Sequence, residues 1–134
     1  MIIKISPDKE RANSILQMVG LREKFLKDSE KIAVNSTIIA ENYYEIIKEL
    51  CVAIGFIEGY KSIGENAHKE IIDFIKKYDE FDELEIEIIQ DLRIKRNKSS
   101  YEGKPIEEVY LENRKQDLAN IIEKLKILLQ KLLG

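Results

Sequence analysis

Between Arg93 and Lys104 the chain gathers five bases, Arg93, Lys95, Arg96, Lys98 and Lys104, against one acid, Glu102. That is a local charge of +4 in a chain of net charge −3. Just upstream, Asp79 to Asp91 carries seven acids and no base. Charge alone would let the basic segment contact a few phosphates, although most such clusters are simply solvated helix faces. The order of the residues says more. At about 100° per residue, Arg93, Arg96, Asn97 and Ser100 share an arc of roughly 100° on one helix, with Ile86 and Ile89 on the same side. The polar groups therefore extend an apolar stripe. An Arg, an Asn and a Ser on a half-buried face are costly unless they meet partners, which favours an interface or a ligand groove. Arg supplies a planar fork for phosphate or carboxylate, Asn a donor–acceptor pair, and Tyr101 a hydroxyl and a stacking ring. The competing reading is internal, with Arg96 and Asn97 capping helix ends and the turn at 101–105.

Other chemistries find less support. Glu65 and His68 have the Glu-x-x-His spacing of di-iron bundles, but such a site needs the motif twice and His68 is the single histidine. A zinc site would have only His68, Cys51 and carboxylates to draw on, and a nucleophilic triad would rest on the same histidine. His68 is expected on a helix surface, and no metal or cofactor is expected. Cys51, between Leu50 and Val52, is expected to be a small buried hydrophobe. No glycines stand in a phosphate-loop pattern.

The elements that must position the basic segment are helical. With 134 residues, 44% of them hydrophobic, the chain suits one domain, residues 1–134, with a single core. Two prolines and six glycines are too few for a loop-rich all-β fold. Ser6-Pro7-Asp8 predicts a helix start, with a possible break at Gly20. Asn35-Ser36-Thr37 opens a second helix, on which Ile39, Tyr43, Ile46, Leu50, Ala53 and Ile57 follow helical spacing to a stop between Gly59 and Gly64. Asn66 caps a short third helix, Asp82 a fourth running to about Ser100, and Gly103-Lys104-Pro105 precedes a last helix from about Ile106 to Leu133. The fold class predicted is all-α, an up-and-down antiparallel bundle of four to five helices. Leu111, Leu118, Leu125 and Leu132 stand seven apart, which is read as one wide bundle face rather than a free coiled coil. A basic-zipper reading fails, because that fold needs one continuous helix and Gly103 and Pro105 interrupt it. No stretch approaches the ~20 apolar residues of a membrane span, and Met1-Ile2-Ile3-Lys4-Ile5 is too short for a signal peptide's apolar region. The expected location is cytoplasmic.

The run Leu92-Arg93-Ile94-Lys95-Arg96-Asn97-Lys98-Ser99-Ser100-Tyr101-Glu102-Gly103 resembles the signature of the HEPN domain, the "higher eukaryotes and prokaryotes nucleotide-binding" helical bundle. That signature is an Arg followed by a polar residue and, a few positions on, a His. Residues Asn42 to Leu50, then Gly59-Tyr60-Lys61-Ser62 and later His68, also resemble the family's second helix and the turn after it. The likeness runs from about Ser36 to the last helix. It implies a four- or five-helix bundle that dimerises, with the Arg motifs of both protomers facing a shared cleft. Many members are metal-independent ribonucleases, often toxins paired with a small nucleotidyltransferase antitoxin. In them the Arg binds or polarises the scissile phosphate and the His serves acid–base chemistry. Arg96 carries over as the motif Arg and Asn97 as its polar neighbour. Tyr101 stands where the shortest form of the motif has His, and a phenol is a poor general base at neutral pH. Tyr101 could instead orient RNA, donate a proton to the leaving oxygen or stack on a base.

Three functions follow as expectations. The first is a homodimeric RNA- or nucleotide-binding module, with Arg93, Arg96, Asn97, Ser100 and Tyr101 as binding residues and a nucleotidyltransferase as partner. The second is an active ribonuclease toxin, with Arg96 and Tyr101 as catalytic residues. The third is a structural dimerisation module.

Overall fold

The computed structural model describes every residue except Ala33. Five helices carry the fold: α1 (Lys9–Ser29), α2 (Ser36–Glu58), α3 (Ala67–Phe74), α4 (Glu83–Glu102) and α5 (Glu108–Leu133). Two short strands, β1 (Ile2–Lys4) and β2 (Tyr60–Ser62), pair antiparallel with Ile3 opposite Lys61. The expected bundle is present. The strand pair was not foreseen, because three residues are too few to show a period and each strand exists only by meeting the other.

Helices α1, α2 and α4 begin where a side chain takes up free backbone amides. Asn66, expected to cap α3, stands at its start without a side-chain bond to it, and Glu107 precedes α5 in the same way. Asn35 Oδ1 accepts from Thr37 N at 2.8 Å. Asp82 and Glu85 form a reciprocal capping box, with Asp82 Oδ1 accepting from Glu85 N at 2.8 Å. The acids of the 79–91 run thus crowd the positive end of α4, and the bases sit toward its negative end. Gly103 ends α4 and Gly59 ends α2 at φ 68° and 86°, backbone that glycine adopts without strain. Two boundaries differ from expectation. Asp8, not Ser6, caps α1: its side chain accepts from Arg11 N at 2.9 Å, while its own N–H donates to Phe56 O and Ile5 N–H to Gly59 O. The preceding residues are thus tied to the end of α2. No break occurs at Gly20, whose surroundings are open on the exposed side of an uninterrupted helix.

The four long helices alternate in direction. The start of α1 meets the end of α2. Lys126 of α5 reaches Glu23 of α1 at 3.1 Å, and Lys124 reaches Glu85 near the start of α4 at 2.9 Å. Central α2 packs against α1, α3, α4 and α5, which is why it is buried nearly all round, from Tyr44 through Ile47, Leu50 and Ile54. Leu111, Leu118 and Leu125 are buried in the same core, and Leu132 packs against it half-buried. The seven-residue spacing therefore serves the bundle interior. Ser36 Oγ donates to Ile106 O at 2.7 Å and Ile106 N to Thr37 Oγ1 at 2.8 Å. These bonds pin the 103–107 connection to the head of α2 and so fix where α4 ends. Among the described residues, no helix is long and apolar enough to cross a membrane.

Candidate functional site

The basic segment occupies the last three turns of α4. Leu92 is fully buried and anchors it, while Arg93, Arg96 and Asn97 are half-buried, as a stripe continuing Ile86 and Ile89 requires. The tertiary structure divides this stripe between two concavities. Arg93, Asn97 and Tyr101 line an open cleft of about 400 Å³ against the start of α3, facing Glu65, His68 and Lys69. Arg96 turns the other way, into a cleft with Arg22, Ile38, Glu41, Asn42 and Glu45. Ser100 is exposed and lines neither. Tyr101 is 79% exposed, so its ring is free to stack.

Arg96 is held by charge and by a ring. Its Nη2 lies 3.4 Å from Glu45 Oε1, with both side chains only about a fifth exposed (23% and 21%). Its guanidinium sits over the Tyr44 ring, 5.6 Å from the centroid. Glu45 also accepts from Lys48 Nζ at 2.8 Å. Burial on its own would raise the Glu45 carboxyl. The Lys48 hydrogen bond and charge, with Arg96 and Arg22 behind them, outweigh it and hold the group below the usual carboxylate range. Glu45 is thus an ionised counter-ion to three cations, and any phosphate approaching Arg96 must compete with it.

Tyr44 joins the two clefts. Its ring carries Arg96, and its hydroxyl lies 3.3 Å from His68 Nδ1. His68 is exposed on the helix surface, as expected, yet its position is not incidental. The chain brings its single imidazole to the cleft that holds Arg93, Asn97 and Tyr101. The side of the ring turned to the protein is desolvated, which depresses its pKa most. The charges of Lys48 and Arg96 push the same way and Glu45 opposes them, so the neutral form is favoured at pH 7. Sequence reasoning passed over this placement because His68 and Tyr101 are on different helices. The one available signal was helical phase, which puts Arg93 and Asn97 on one face of α4. It could not say what that face meets.

Elsewhere the reactive groups are inert or dispersed. Cys51 is fully buried, and burial pushes its thiol up to about 12, in line with a structural hydrophobe. Among the described residues, no three His, Cys, Asp or Glu side chains converge to hold a metal ion. Arg96 and Asn97 touch each other at 3.5 Å but cap neither helix end nor the 101–105 turn, where the Gly103 and Lys104 amides donate to Lys98 O instead. Compared with protein-family models, curated proteins and solved structures, the chain matches none.

Proposed function

We propose that the protein is a HEPN-type nucleotide- or RNA-binding helical domain that works as a homodimer, with a small nucleotidyltransferase as its partner. The observation that carries this reading is the convergence of Arg93, Asn97 and Tyr101 with His68 and Lys69 on one open cleft. It assembles cations, an amide and an exposed ring, the equipment for holding a phosphate while stacking a base. Arg96, the motif residue, lies one helical step away behind Tyr44 and exchanges its Glu45 contact for phosphate. The dimer is supported by Met18, Leu21 and Phe25, which leave an exposed apolar stripe along α1. Ile38, also exposed, lines the neighbouring Arg96 cleft.

One observation favours ribonuclease activity as a second reading. The Arg96 motif has no His after it, and His68 offers a neutral imidazole in the neighbouring cleft of Arg93, Asn97 and Tyr101, able to accept the proton of an attacking 2′-hydroxyl. The test is one set of incubations of tRNA with wild type, Arg96→Ala and His68→Gln in chelator, paired with salt-dependent RNA binding. The first reading predicts binding that weakens with salt and falls in Arg96→Ala, without cleavage. Cleavage lost in both variants establishes the second. A stable dimer that binds no RNA or nucleotide would overturn both and leave a structural module.

A further inference from the structure

Two concavities meet at His68. One is the polar cleft described above. The other is a cavity of about 160 Å³ among α2, β2 and α3, walled by Val52, Phe56, Tyr60 and Ile71. Ala67 and His68 line both. The Tyr60 wall is braced from behind by Phe74, ring centroids 5.3 Å apart. The lining is mainly apolar, with Lys61 and His68 at its edge, and β2 adds Ser62, whose Oγ is buried and has no hydrogen-bond partner among the described residues. A hydroxyl withdrawn from water and left unpaired is destabilising, so such a group calls for a partner that enters the site.

Size and chemistry together select that partner. An apolar protein cavity of about 150 Å³ takes one benzene ring, so a hollow of about 160 Å³ covers one six-membered ring and leaves part of a fused purine outside it. On the other side of His68, Arg93 and Lys69 supply cations and Asn97 an amide N–H, the donors a phosphate needs. We infer that the site binds a pyrimidine nucleotide astride His68, its ring in the apolar cavity with a polar edge at Ser62 Oγ and its phosphate on Arg93 and Lys69. This rests on the nucleotide-binding reading above and adds base selectivity to it. The shared chemistry, a pyrimidine ring bearing a phosphate, occurs both in a free mononucleotide and in single-stranded RNA.

The test titrates the full chain, by calorimetry and by amide chemical shifts, with UMP, CMP, AMP, GMP and inorganic phosphate. Labelled oligouridylate and oligoadenylate are titrated in parallel. UMP or oligouridylate should bind about tenfold or more tightly than its purine counterpart, a difference of one decade in Kd. Preference confined to the oligonucleotide assigns the ring to RNA, and preference shared by free UMP assigns it to a mononucleotide as well; either upholds the pocket. Ser62→Ala, which leaves the volume open, should weaken pyrimidine binding about fivefold, the loss of one hydrogen bond. Ala67→Leu, with an unchanged circular dichroism spectrum, should bring UMP down to the affinity of inorganic phosphate. Equal affinity for UMP and AMP overturns the pocket, whatever the variants do. Tight RNA binding with no base preference also overturns it but leaves the RNA-binding reading standing, and absence of any RNA or nucleotide binding overturns both.

Discussion

Replacing Glu45 by Gln separates a phosphate-binding Arg96 from a merely structural one. The carboxylate stands 2.8 Å from Lys48 Nζ and 3.4 Å from Arg96 Nη2. At an effective dielectric near 20, each contact corresponds to a gross attraction of roughly 5 kcal/mol. Desolvation of half-buried partners and loss of side-chain freedom cancel most of it, leaving a net contribution of about 1–2 kcal/mol for both contacts. For a chain of this size that lowers Tm by about 4–8 °C in Glu45→Gln at neutral pH. The sign with pH follows from the depressed carboxyl. Its stabilisation is fully present above the unfolded-state value near ~4.5 and disappears as pH falls through the lower folded-state value, so wild type and variant should converge in acid. RNA binding should move the other way. With its counter-ion neutralised, Arg96 is free for phosphate, and the variant should bind single-stranded RNA about two- to fivefold more tightly at low salt, a gain of about 0.5–1 kcal/mol. Because Arg96 meets one phosphate in both proteins, the slope of log affinity against log salt should stay the same, becoming shallower by roughly 0.7 only in Arg96→Ala. Fluorescence anisotropy across about 50–200 mM salt, beside thermal melts from pH 3 to 7, reads both effects. A folded variant with unchanged or weaker RNA affinity would refute the assignment of Arg96 to phosphate.

Two further substitutions test the packing that positions the site. Gly20→Ala on the open face of α1 should raise stability by about 0.4–1 kcal/mol. Gly55→Ala in α2 should lower it despite the same gain in helix propensity, because its Cβ would stand 3.0 Å from both Tyr60 O and Ile71 Cδ1; urea unfolding of the pair measures the contrast. Cys51, with its thiol pushed up to about 12 by complete burial, should resist a thiol-specific reagent at pH 8 in the folded protein and react at once in denaturant.

Much of this architecture is determined locally and is therefore visible in the chain itself. The caps at Asn35 and Asp82, the glycines that end α2 and α4, and the leucine spacing of α5 act within a few residues of their place in sequence. Helical phase alone puts Arg93, Arg96 and Asn97 beside the apolar stripe of α4, and the apolar stretch around it, with Leu50 and Val52 on either side, makes Cys51 a core residue. What phase cannot show is what a helix face meets. The β1–β2 pair joins residues about sixty positions apart and has no period of its own. Arg96 and Asn97 are adjacent in sequence yet serve different clefts, because α2 brings Glu45 to one and α3 brings His68 to the other. The Ser62 hydroxyl looks ordinary in sequence. Only the closure of β2 and α3 over α2 removes it from water without a partner and opens a ring-sized space beside it. Short-range steric and hydrogen-bonding preferences settle the elements; long-range packing, which alone joins residues distant in the chain, settles the site.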